Sequence, residues 1–160
     1  MKKKLLILTL LAGFLSCQSQ ESKTTDMHQE IENYLNKLKL SEAFEGISNE
    51  RKEALGELAE YIRKKIDNNK DVQLTFICTH NSRRSHISQI WAQTAAHYYN
   101  IEKVKSYSGG TEVTAFNPRS VKAMERAGFV ITTSDANDNP TYHVSFAPEA
   151  KSLQAWSKKY

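Results

Sequence analysis

The stretch from Leu74 to Tyr99 constrains this chain more than any other. It reads Leu-Thr-Phe-Ile, then Cys-Thr-His-Asn-Ser-Arg-Arg-Ser over positions 78–85, then a periodic run. Leu74 to Ile77 is short, apolar and rich in β-formers, which predicts a buried strand. Beyond Ser85, the residues Ile87, Ile90, Trp91, Ala95 and Tyr98 recur at three- and four-residue spacing, which predicts an amphipathic helix. A strand, a tight polar loop and a helix N-terminus in succession make an anion site, because loop amides and helix dipole converge on the ligand. A cysteine opening such a loop has its pKa depressed and is a nucleophilic thiolate at neutral pH. Arg84 carries the planar fork that clamps two anion oxygens. Ser85 can donate its hydroxyl to the sulfur and cap the helix. This set of residues suits nucleophilic attack on a tetrahedral oxyanion.

The order Cys-x5-Arg-Ser after an apolar strand resembles the phosphate loop of the low-molecular-weight protein tyrosine phosphatases and of the related thioredoxin-coupled arsenate reductases. Cys78, Thr79, Asn81, Ser82, Arg84 and Ser85 fit that loop, whereas His80 stands at a usual glycine and Arg83 at a usual cysteine. Ser108-Gly-Gly-Thr111, and Asn117-Pro118 followed by a helix and Gly128, resemble later segments of the family, so the likeness runs from Val72 to Val130. It implies an α/β fold, a parallel sheet flanked by helices of the phosphotyrosine protein phosphatase I type. Strand–helix–strand–helix order along this stretch argues for the same layout, with right-handed crossovers.

The resemblance also implies roles. Cys78 is the expected nucleophile, Arg84 the transition-state clamp and Ser85 the group that assists the leaving thiolate. Thr79, His80, Asn81, Ser82 and Arg83 complete the phosphate-binding loop, with Asn81 and Ser108 holding its backbone from behind. The expected activity is phosphomonoester hydrolysis, of the protein tyrosine phosphatase kind, through a cysteinyl-phosphate intermediate. Two alternatives stay open: arsenate reductase-like chemistry using an external thiol, and an anion-binding lipoprotein with impaired catalysis. The family's general acid is an aspartate in an Asp-Pro pair, and no Asp-Pro occurs here. Asp135 and Asp138, in a polar loop, are the available substitutes, though aspartate is a default turn residue. On this reading the phosphatase-like region, 71–160, lacks its C-terminal part, which leaves an apolar face to be covered.

Three lysines precede an apolar run from Leu5 to Leu15, of secretory length and too short to span a bilayer. The run ends Phe14-Leu15-Ser16-Cys17, which resembles a bacterial lipoprotein processing site. The expectation is a signal peptide over 1–16, lipidation at Cys17, a polar tether over 17–26, export, and anchoring to the periplasmic or outer face of a bacterial membrane. The formal charge is +4, and the loss of Lys2, Lys3 and Lys4 with the leader reduces it to +1. A near-neutral chain gives no electrostatic case for nucleic acid. The expected partners are a phosphate- or arsenate-like oxyanion, a phosphorylated substrate and the membrane. His80, His86 and His97 lack a metal-ligand spacing, so neither a metal nor a cofactor is expected. With Cys17 acylated, Cys78 is the one remaining thiol, which excludes an internal thiol relay.

Residues 27–70 form an added N-terminal helical extension. Ile31, Tyr34, Leu35 and Leu38 mark one helix; Leu55, Leu58, Ala59, Ile62 and Ile66 mark a second, with Ser48 at its start. The simplest use of the pair is as a cover over the sheet. Val104 to Ser108 predicts a second strand and Arg119 to Ala127 a helix between Pro118 and Gly128. Thr132 to Pro140 reads as a loop, Tyr142 to Phe146 as a strand and Leu153 to Trp156 as another.

Overall fold

The computed structural model describes residues 26–40, 45–133 and 135–160. The expected leader, the lipidation site Cys17 and residues 17–25 of the tether lie outside the described residues. Among the described residues no helix is long and apolar enough to cross a membrane.

Helix α1, Gln29–Leu40, and helix α2, Asn49–Asp67, precede strand β1, Val72–Cys78. Ser48 caps α2, its hydroxyl accepting the Arg51 amide at 3.3 Å. Strand β1 leads through the polar loop into helix α3, Arg84–Tyr98, which crosses over to strand β2, Val104–Gly110. The two strands pair in parallel from Val72↔Val104 to Cys78↔Gly110. This is the expected α/β unit, with the cysteine at the C-terminal end of its strand, where ligands bind in such sheets. Helix α4, Pro118–Arg126, follows, with Pro118 in its first turn and the Asn117 side chain accepting the Arg119 amide at 3.0 Å.

Beyond α4 the expected loop from Thr132 needs correction. Val130–Thr133 is a strand, β3, which pairs antiparallel with β4, Tyr142–Ser145; β4 in turn pairs antiparallel with β5, Leu153–Ala155. All four β3 residues are β-branched, and the partner strand β4 satisfies their backbone. The described residues therefore form two small sheets, one parallel and one antiparallel.

Helix α3 lies between them. No residue from Ser85 to Tyr98 is exposed. Its apolar side joins a core with Ile31, Phe116, Met124, Phe129 and Val144. Its polar side is buried too: Ser106 Oγ donates to the Gln89 carbonyl at 2.7 Å, and the Ser106 amide to Gln93 Oε1 at 3.0 Å. Buried polar groups such as these are tolerated because they are paired.

Strand β1 departs from the fully buried strand expected. Its residues alternate between covered and exposed, with Ile77 49% exposed, and Tyr107 on β2 is 41% exposed. Helix α3 covers one face of the parallel sheet, and the other exposes Gln73, Thr75 and Lys105 beside Ile77 and Tyr107. The core itself is closed by α1. Ile31 is fully buried, the His28 amide donates to the Phe146 carbonyl at 3.0 Å, and Tyr34 stacks on Trp91 at 5.2 Å. Gly128 has φ +100°, and a Cβ there would lie 2.7 Å from the Glu30 Cβ and 2.9 Å from the Ile31 amide. That glycine lets α1 seat against the end of α4.

Candidate active site

The loop from Cys78 to Arg84 wraps around the cysteine sulfur. Cys78 Sγ lies 3.0 Å from Ser85 Oγ, and Asn81 Nδ2 donates to the same hydroxyl at 2.8 Å. With Asn81 donating, the Ser85 proton is left for the sulfur. Burial pushes the Cys78 thiol up, but Ser85 and the backbone amides of Ser85, Ser82 and Asn81 outweigh it, and the pKa falls to about 7. A loop whose amides point at one sulfur also points them at an anion held above it.

Asn81 is fully buried with φ +42°, a left-handed conformation that asparagine tolerates better than most residues. Its Oδ1 accepts the Lys158 amide at 2.9 Å, so one side chain ties the loop to Ser85 on one side and to a distant segment on the other. Further ties hold the backbone. The His80 carbonyl accepts from Ser157 Oγ at 2.9 Å and Thr114 Oγ1 at 3.1 Å. The Thr79 carbonyl accepts the Glu112 amide at 2.8 Å, and the Ser82 carbonyl accepts the Asn117 amide at 2.8 Å. A Cβ on Gly110 would come within 2.6 Å of the Asn81 amide and 2.7 Å of the Thr79 carbonyl oxygen, so the strand beside the loop needs glycine there.

The loop opens onto a cleft of about 560 Å³ lined by Cys78, His80, Ser82, Arg83, Arg84, Thr114 and Asn117. Two guanidinium groups and the N-terminus of α3 make this cleft attractive to anions. Thr79 and Asn81 support the loop without lining the cleft.

Not every expected site residue converges here. Ser108 Oγ donates to Gln89 Oε1 at 2.6 Å, so it fastens β2 to α3 and makes no bond to the loop. Asp135 accepts the Thr141 amide at 2.9 Å, a turn contact, and neither Asp135 nor Asp138 lines the cleft. His86 is fully buried against Phe116, with ring centroids 4.4 Å apart and Nε2 3.1 Å from the Trp156 carbonyl oxygen. Burial lowers its pKa to about 4, the Trp156 carbonyl offsetting only part of this, so His86 is a neutral core residue. Among the described residues no group of three metal-ligating side chains occurs.

Sequence reading missed Glu112, Thr114, Ser157 and Asn139. Ser157 and Asn139 exchange two backbone–side-chain bonds of 3.0 and 2.9 Å. Both lie far along the chain from the loop they support and form no local pattern.

Known proteins are similar to part of this chain. An arsenate reductase of Staphylococcus aureus (strain Newman) is 42% identical over 67 residues, covering 40% of this chain and 47% of that protein. An arsenate reductase of Bacillus subtilis (strain 168) is 41% identical over 66 residues, covering 40% and 45%. Over part of its length the chain is similar to the arsenate reductase / low-molecular-weight phosphatase-like family. It spans about half the length of the curated relatives it matches. No protein-family model and no solved structure matches it. The strand, loop and helix around Cys78 adopt the parallel β–α–β arrangement that the resemblance implied.

Proposed function

We propose that the cleft binds a tetrahedral oxyanion and that Cys78 attacks it, in arsenate reductase-like chemistry that draws on an external thiol. The observation that carries this reading is the convergence of Ser85 Oγ and three loop amides on Cys78 Sγ beside Arg84. The thiolate attacks arsenic and displaces one oxygen as water. An external thiol then attacks the Cys78 sulfur, releasing arsenite and leaving a mixed disulfide. A second thiol frees Cys78 as the external disulfide, so two thiols supply the two electrons.

A second reading, phosphomonoester hydrolysis through a cysteinyl-phosphate, is favoured by a specific observation. Cys78 is the single cysteine among the described residues, and hydrolysis needs no further thiol. The lysine-led apolar run ending at Cys17 supports export and lipid anchoring, with a membrane-side substrate.

The deciding experiment gives the full chain arsenate with dithiothreitol in one assay and p-nitrophenyl phosphate in another, each beside Cys78→Ser. Arsenite formation lost in Cys78→Ser establishes the first reading; ester hydrolysis lost in Cys78→Ser establishes the second. A folded chain inactive in both sinks the catalytic proposal. In either case the rate of iodoacetamide alkylation at Cys78, followed on its peptide by mass spectrometry, rises as pH passes through about 7.

A further inference from the structure

Attack by Cys78 expels an oxygen that needs a proton, and neither Asp135 nor Asp138 lines the cleft to give one. The imidazole that lines the cleft is that of His80, a side chain able both to donate and to accept a proton. Its Nε2 lies 3.0 Å from Glu112 Oε2. A carboxylate that accepts the Nε2 proton fixes the ring's orientation and leaves Nδ1 as the nitrogen free to meet a substrate. Both residues sit on clamped backbone. The His80 carbonyl is held by Ser157 and Thr114, and the Glu112 amide is bonded to the Thr79 carbonyl. Two exposed side chains, 54% and 60% accessible, are thus paired across two fixed segments at the rim of the nucleophile's cleft.

We propose that His80 is the general acid of this site and that Glu112 is its positioning residue. The proposal rests on the oxyanion reading above and applies to either substrate. As Cys78 Sγ forms its bond to phosphorus or arsenic, the bond from that atom to the leaving oxygen breaks. The proton on His80 Nδ1 passes to that oxygen, which departs as an alcohol or phenol from an ester and as water from arsenate. In ester hydrolysis the neutral imidazole then takes a proton from the water that attacks the cysteinyl-phosphate. The charged groups facing His80 are Glu112 beside it and Cys78, Arg83 and Arg84 in the same cleft.

The test is steady-state kinetics of the full chain, His80→Gln, Glu112→Gln and Cys78→Ser on phenyl phosphate, p-nitrophenyl phosphate, and arsenate with dithiothreitol. His80→Gln is expected to lower kcat on the order of 10²-fold for phenyl phosphate and arsenate. The loss is less than about tenfold for p-nitrophenyl phosphate, whose leaving group needs little protonation. Glu112→Gln gives the same selectivity at smaller size. Free imidazole restores activity to His80→Gly. Should His80→Gln fail to fold by circular dichroism, the selectivity of Glu112→Gln decides. Equal losses on both esters, no loss at all, or no rescue of arsenate turnover by imidazole overturns the role of His80. With Cys78→Ser still inactive, the oxyanion reading stands through that failure. The absence of any turnover that depends on Cys78 overturns both.

Discussion

Helices α1 and α2 read alike in the sequence, each with an apolar stripe at helical spacing, and the fold treats them differently. Helix α1 is embedded. Ile31 is fully buried, Tyr34 meets Trp91, and the Tyr98 hydroxyl donates to Asn36 Oδ1 at 2.9 Å. Helix α2 has no buried residue; Leu55 is 44% exposed and Tyr61 43%, and only Ile62 and Ile66 reach the small cluster around Val72. Helix α2 instead carries local support, an Arg63–Glu60 pair at 2.6 Å and its Ser48 cap. Exposed pairs of this kind contribute little beyond helix propensity. Periodicity therefore says that a helix has an apolar face and nothing about whether that face is used.

The largest effect that tests this contrast is Ile31→Ala, which removes a fully buried side chain from the central core. It should cost about 3 kcal/mol in urea unfolding. A loss under about 1 kcal/mol would mean that α1 is no better anchored than α2.

Acid provides the next test. Free histidine takes its proton near 6.5 and buried His86 near 4, so as pH falls the unfolded chain binds that proton first. The stability gained from a neutral His86 is whole above 6.5 and is lost progressively as pH falls toward 4. The loss amounts to about 3 kcal/mol at most. Urea midpoints at pH 7 and 4.5, read by tryptophan fluorescence that reports the Tyr34–Trp91 contact, should show it. A His86→Gln chain that keeps the whole acid sensitivity would assign it to other groups.

Gly128→Ala should cost about 2 kcal/mol, since it combines a positive φ with a collision against α1. If α1 matters as argued, its amides lose hydrogen-exchange protection in this variant while those of α2 do not. The smallest effect belongs to α2. Leu55→Ser should change stability by no more than about 0.5 kcal/mol. A larger loss would reveal that the α2 face is covered in solution.

What the sequence made legible follows from the same physics. Elements fixed by local chemistry were readable: the strand–loop–helix around Cys78, the Ser48 cap, Pro118 at a helix start and the alternation that gives β4. Strand β3 was not, because Val130 to Thr133 is short and flanked by turn residues, and its pairing depends on a partner 12 residues away. Nor was the second, polar contact face of α3. Gln89 and Gln93 look like solvent positions until Ser106 and Ser108 are placed against them. At the site, the loop's own residues were readable and its supports were not. Asn81 ties the loop to the segment at 158, whereas Ser108 bonds Gln89 on a neighbouring helix. Glu112 could be seen only as an exposed acid until the fold set it beside His80.

The tie between the loop and the segment at 157–158 has a consequence for biosynthesis. Ser157 is 77 residues beyond His80, so the loop leaves the ribosome well before its clasp exists. At typical elongation rates of 5–20 residues per second, that interval is about 4 to 15 seconds. During it the nascent chain carries the nucleophile without the bonds that shape its surroundings. The oxyanion cradle is therefore completed only after the helix that follows the cysteine has been made.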